Sequence, residues 1–220
     1  MKPYRAHILV IPYPVQGHIN PMLQLSKRLV SKGLRATIAI TKFISKTMQP
    51  KVDSLNFDTI SDGYDEFGFA KAPNVHTYLE KLETEGSRTL NQLLRKQETL
   101  GHPIDCIIYD AQLPWALDVA KENEMVGAAF FTQPCGVNYV YYRLQQGLIE
   151  LPLDSSKPVS IPGLPLMDPH DMPSFVDGSY PAYFELVLNQ YNNVQQADLI
   201  LVNSFYKLEE KVCCVTHAHA

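Results

Sequence analysis

No basic stripe runs through these 220 residues. The net charge is −4 and the isoelectric point is near 6.0, and a stretch such as Arg88 to Lys96 holds three scattered cations. A chain that neutralises phosphates needs clustered lysine and arginine, so a nucleic-acid partner is not expected. Cysteine is scarce: four residues, Cys106, Cys135, Cys213 and Cys214. The first two lie in apolar runs, where cysteine acts as a small hydrophobe, so no disulfide framework is expected and a reducing compartment fits. Long hydrophobic runs are also missing. The N-terminal "HILVIPYPV", after Lys2 and Arg5, is short, broken by Pro12 and Pro14, and has no small-residue cleavage site. It reads as a buried strand and not as a signal peptide, and a soluble protein of the cytoplasm without a membrane span follows.

Several motifs are missing as well. After the first strand there is only Gly17 and no G-x-G-x-x-G, which disfavours the usual dinucleotide site and, with it, a nucleotide-sugar epimerase. No Walker A pattern and no G-x-S-x-G elbow is found. Asp62-Gly63 and Asp65-Glu66 fail the EF-hand spacing and read as a solvated turn. Cys213, Cys214, His217 and His219 crowd the tail without a second ligand pair, so neither a metal nor any other cofactor is expected.

What is present is a rhythm of strands and helices. "RAHILVIPY" is a continuous apolar run, as in a parallel strand covered on both faces. Asn20 then suits a helix cap and Pro21 a first helical position, leading "PMLQLSKRLVSK" to a stop at Gly33. Further strands read as "LRATIAIT", "LNFDTI", "IDCIIYD", "VGAAFF" and "ADLILVN". Helices are expected over 74–99, divided at Gly86, from Pro114 onward, over 135–146 and over 182–194. Residues 148–181 are Pro-rich, too irregular for regular structure and too apolar for a free linker, and should wrap over the surface near a pocket. Nothing repeats and no interior boundary shows, so one α/β domain with a doubly wound parallel sheet is expected.

That fold gives His18 a meaning. In the strand order 3-2-1-4-5-6, strands one and four are neighbours, and ligands bind where the chain reverses, at their carboxyl ends. His18 follows strand one and Asp110 ends strand four. A carboxylate holding one imidazole nitrogen leaves the other to take a proton from a substrate hydroxyl. A backbone carbonyl partner would explain His18 alone, and a helix-capping role would explain Asp110 alone; the topology is what joins them. Tyr139, Tyr141 and Tyr142 fit packing, or, with Trp115, the lining of an aromatic pocket.

Five ordered blocks carry a resemblance: "HILVIPYPVQGHINPMLQLSKRL", "IIYDAQLPWALDVAKE", "AAFFTQPCGVNYVYY", "IPGLPLMDPHDMPSF" and "ADLILVNSFYKLE". From about Tyr4 to Glu210 the chain resembles the N-terminal half of plant family-1 UDP-glycosyltransferases, enzymes of plant secondary metabolism. The resemblance implies a Rossmann-like, acceptor-binding domain of a GT-B fold over residues 1–210. It implies transfer of a sugar, glucose by preference, from a UDP-sugar to a hydroxyl or carboxyl of a small phenolic, terpenoid or related acceptor, with inversion and without a metal. His18 matches the catalytic base and Asp110 the residue that orients it. Gly17 and Thr132 match positions beside the donor sugar, and Tyr13, Val15, Gln16, Gln112 and Tyr180 match acceptor contacts. The family's W-x-P-Q and H-C-G-W-N-S donor elements do not occur, and residues 211–220 diverge without forming a domain. UDP-sugar binding is therefore expected only together with a C-terminal domain. The 220 residues are expected to be a truncated gene product with weak or no transfer of its own, the alternative being a non-catalytic binding or interaction module.

Overall fold

The computed structural model describes residues 4–48 and 55–212. The tail that the sequence marks as divergent lies outside them from Cys213 on, and with it the Cys213, Cys214, His217 and His219 group. Among the described residues, six parallel strands form one sheet: β1 (His7–Ile11), β2 (Arg35–Thr41), β3 (Asn56–Ile60), β4 (Cys106–Asp110), β5 (Val126–Phe131) and β6 (Leu199–Val202), in the order β3-β2-β1-β4-β5-β6. This is the doubly wound arrangement, with its reversal between β1 and β4.

The apolar runs of the central strands follow from burial on two faces. Every residue of β1 is buried. Leu9 and Ile11 point into one core with Ile107, Tyr109, Ala129 and Phe131. Ile8 and Val10 point into the other with Ile38, Ile40, Ile108 and Phe130. Side chains alternate faces along a strand, so a strand without polar alternation must be covered twice. Helix α1 (Gln16–Ser31) places Ile19 and Met22 in the second core, beside Ile44 of α2 (Lys42–Met48). Helices α3 (Val75–Thr99), α4 (Trp115–Glu122), α5 (Cys135–Gln145) and α6 (Pro181–Asn189) cover the first.

Three expectations change. Helix α1 begins at Gln16, five residues before the expected start at Pro21, and Asn20 is not its cap. Backbone bonds from His18 and Ile19 to the Val15 carbonyl, each 3.0 Å, close its first turn, and Pro21 sits inside the helix. Lacking an N–H, Pro21 gives no helical bond to the carbonyl of Gly17, four residues before it. Second, α3 is not divided at Gly86. That glycine lets α3 pack against α4: a Cβ there would lie 2.7 Å from the Trp115 ring. Third, α2 was hidden by "KFISKTM", too short to show a helical period.

Candidate active site

The carboxyl ends of β1, β4 and β5 lie side by side, and three polar side chains meet above them. His18 is carried by the first turn of α1 and not by a loop. Asp110 is the last residue of β4, and Thr132 follows β5 directly. The Nδ1 of His18 lies 2.7 Å from Oδ2 of Asp110 and 3.1 Å from Oγ1 of Thr132. A pairing across 92 positions of chain thus rests on the neighbourhood of β1 and β4.

The bonding fixes the histidine's tautomer. A carboxylate only accepts, so Nδ1 carries the proton and donates it to Asp110, with the Thr132 oxygen as a second acceptor. In the neutral imidazole Nε2 then keeps its lone pair. Asp110 is 1% exposed, and its other oxygen accepts the backbone N–H of Gln112 at 3.1 Å. The His18 side chain is 12% exposed and borders a cleft of about 460 Å³. Small-molecule sites span roughly 300–1,000 Å³, so the volume suits a small organic ligand.

Aromatic side chains build most of the cleft. Tyr13 ends the β1 loop with its ring centroid 5.4 Å from that of His18. Burial first, then the neighbouring Tyr183 and Asp110, push its phenol well above the ordinary tyrosine range. Tyr78, on α3, donates its hydroxyl to Asp62 at 3.1 Å, and Phe69 stands edge-on to it at 5.1 Å. Across the cleft, Tyr141 of α5 donates to the Ser174 carbonyl at 2.7 Å, which ties the helix to the Pro-rich wrap; burial pushes its phenol up to about 12. Phe175 of that wrap lines the cleft with a left-handed φ of 74° and stacks on Tyr183 of α6 at 5.4 Å. Left-handed backbone outside glycine is costly and gathers at functional sites.

Of the residues singled out in the sequence, His18, Tyr13, Val15 and Gln112 line this cleft. Thr132 joins through His18. Gln16 and Gly17 occupy the exposed first turn of α1 and are not among the lining residues. A Cβ at Gly17 would meet nothing within 4 Å, so the fold itself does not require glycine there. Tyr180 stands behind the wall, its ring against Phe175 at 6.1 Å and Tyr183 at 6.3 Å. Of the tyrosines at 139, 141 and 142, only Tyr141 reaches the cleft, and Trp115 is buried against Gly86 instead. Phe69, Tyr78, Pro173, Phe175, Tyr183, Leu186 and Val187 were not visible as site residues. They come from four separate segments, and the one signal was the expectation that the Pro-rich stretch borders a pocket. Among the described residues no group of three or more His, Cys, Asp or Glu side chains is placed to hold a metal ion, and no helix is long and apolar enough to cross a membrane.

Known proteins resemble this chain in sequence and in fold. Residues 5–67 match the model of a glycosyltransferase N-terminal domain. UDP-glycosyltransferase 74F2 of Arabidopsis thaliana is 48% identical over 214 residues, covering 95% of this chain and 46% of that protein. The Arabidopsis flavonol 7-O-beta-glucosyltransferase UGT74F1 is 43% identical, over 98% of this chain and 49% of its own length. Among solved structures, Os79 from O. sativa in complex with UDP superposes with a TM-score of 0.87 at 35% identity, over 96% of this chain and 49% of that one. The chain therefore spans about half the length of the relatives it matches.

Proposed function

We propose, for a chain that belongs by sequence and fold to the plant UDP-glycosyltransferases and corresponds to their N-terminal half, that its cleft binds the sugar acceptor and that His18 removes the acceptor's proton. The observation that carries this is the 2.7 Å bond between His18 Nδ1 and the buried Asp110 carboxylate at the cleft wall. It orients the ring and leaves Nε2 as the base. The acceptor's O–H gives its proton to Nε2, its oxygen forms the new bond to the anomeric carbon, and the bond from that carbon to the UDP oxygen breaks on the opposite side, with inversion. UDP carries away the electron pair. The imidazolium formed is stabilised by Asp110.

On this reading Thr132 and Gly17 lie toward the donor. Thr132 shares the His18 proton at 3.1 Å. Gly17 presents bare backbone in the first turn of α1, where unpaired N–H groups suit phosphate oxygens. Tyr13, Val15 and Gln112 face the acceptor, while Gln16 and Tyr180 contribute from the rim. The sugar is taken to be glucose, as in the printed name of the flavonol 7-O-beta-glucosyltransferase relative. Os79 has been solved with UDP and with a trichothecene, a pairing of nucleotide and small acceptor that this cleft is proposed to share. The 220 residues alone are expected to bind acceptor and to transfer sugar poorly, because the donor contacts are shared with sequence beyond this half.

The test joins the chain in frame to the C-terminal half of the 48%-identical relative and measures glucose transfer from UDP-glucose to a phenol panel. His18→Ala should lower kcat by about 10²–10⁴-fold, the usual contribution of a general base. A His18→Ala enzyme within about threefold of the parent would refute the role.

A further inference from the structure

Helix α5 has no cap of its own. Its N-cap residue is Pro134, whose side chain makes no capping bond, yet its first turn follows Thr132 and Gln133 directly at the wall of the site. The cap comes from 74 positions away. Glu209, beyond β6, accepts the backbone N–H groups of Cys135 and Gly136, each at 2.9 Å. The hydroxyl of Ser204 donates to the same carboxylate. Residues 205–208 and 210 are exposed, whereas Glu209 turns inward. Burial by itself would raise its pKa, but the bonds from Ser204, Gly136 and Cys135 outweigh it and hold the carboxyl below the ordinary glutamate value. At neutral pH a full negative charge therefore sits at the positive end of α5.

The same segment holds the corner before the helix. Asn203 donates its backbone N–H to the Phe131 carbonyl at 2.9 Å, and its side-chain nitrogen lies 3.5 Å from the Thr132 carbonyl. That corner is stiff. Proline fixes φ at Pro134 and restricts Gln133 before it, and the Asn138 side chain donates to the Gln133 carbonyl at 2.9 Å. A shift of the Cys135 backbone is thus passed on to Thr132, whose Oγ1 lies 3.1 Å from His18 Nδ1. Farther along, α5 has other anchors: Tyr141 donates to the Ser174 carbonyl, and Tyr191 to the Asn138 carbonyl at 2.6 Å. The Glu209 cap governs the first turn and the corner, not the helix as a whole.

We infer that Glu209 is a positioning residue of the site: by capping α5 it sets where Thr132 stands against His18. The inference rests on reading His18 as the base and adds to that reading a residue outside the cleft. Without the carboxylate, two N–H groups of the first turn lose their acceptor, the turn frays, and Thr132 moves off Nδ1. The effect falls on turnover and not on acceptor binding, because the far walls of the cleft are held by other bonds.

The test is Glu209→Gln, which keeps the outline, removes the charge and turns an amide N–H toward one of the two backbone donors. In the 220-residue chain, NMR of the His18 ring and the Thr132 methyl reads the corner without turnover. Both signals should move, and unmoved signals overturn the inference. Ser204→Ala, a milder loss of the same anchor, serves should Glu209→Gln not fold. It should move the same two signals, and the inference falls if it does not. In the joined two-half enzyme, Glu209→Gln should lower kcat for a hydroxyl acceptor by about 10–100-fold, as a misplacement outside the chemistry does. Acceptor affinity by calorimetry should stay within about threefold, well short of that loss. A merely structural role would lower the melting temperature and leave kcat unchanged at temperatures well below it. In a Thr132→Val background the same substitution should cost less than about threefold, since residues that act through one another are not additive. Equal losses in both backgrounds overturn the inference. The NMR signals do not depend on catalysis: a His18→Ala enzyme that keeps its rate refutes the base and leaves the signals to decide on Glu209, while unmoved signals refute Glu209 and leave the base standing.

Discussion

Replacing Asp110 by asparagine removes one charge and almost no volume, which makes it the sharpest test of how the site works. As the acceptor's proton moves to Nε2, the imidazole becomes a cation whose Nδ1 is 2.7 Å from Asp110 Oδ2. The centres of the two charges are then about 4 Å apart, and at an effective dielectric constant near 20 their attraction is about 4 kcal/mol. The constant suits a pair in which the aspartate is 1% exposed and the imidazole 12%. In the neutral resting state the amide oxygen still accepts the Nδ1 proton, so most of this attraction is felt only as the reaction proceeds. At 1.36 kcal/mol per factor of ten, kcat for a hydroxyl acceptor should fall by about 10²–10³. Glucose transfer from UDP-glucose is measured with the joined two-half enzyme, alongside acceptor binding by calorimetry, which should change little. A nitrophenol already ionised at the assay pH needs no base, so the loss of kcat with it should be far smaller. A loss below about tenfold on the hydroxyl acceptor, or equal losses on both acceptors, would refute the reasoning.

Two further outcomes concern stability. His7 is fully buried and holds Thr37 Oγ1 and the His102 carbonyl at 2.8 and 2.9 Å, and burial first of all keeps its pKa below the ordinary 6.5. Above that ordinary value both folded and unfolded chains carry it neutral; as the pH falls below it the unfolded chain takes the proton first, so stability drops until the lowered folded value is passed. Urea midpoints should therefore decrease from pH 7.5 to 5.5, and His7→Gln should flatten that slope; an equal slope in the variant refutes the assignment. Gly86→Ala should destabilise by about 1–3 kcal/mol through overpacking, since its Cβ would stand 2.7 Å from the Trp115 ring. Trp115 is the sole tryptophan, so its fluorescence reports both the melt and the displaced ring, and an unchanged melting temperature would show that the two helices separate at little cost.

The sequence alone determined the sheet. Unbroken apolar strands alternating with helices admit few arrangements, and "HILVI" reads as a parallel strand covered on both faces. Once the order was known, His18 and Asp110 had to come together, and the five ordered blocks named the family without coordinates. Local signals failed where packing outweighed them. Pro21 suggested a helix start, but the helix closes its first turn earlier, on Val15, and so lifts His18 out of the loop into a fixed position. Gly86 suggested a break, but it serves an aromatic ring on another helix. The cleft itself was decided only by the tertiary structure. Its walls come from the Phe69 loop, α3, α5, the wrap and α6, and which side of each segment faces inward depends on contacts far apart in the chain. The same holds for Asp62. It reads as a turn residue in the sequence, and only its burial and the hydrogen bond from Tyr78, 16 positions away, show it as a carboxyl group packed behind an aromatic wall, because burial is a property of the packed whole and not of a local pattern.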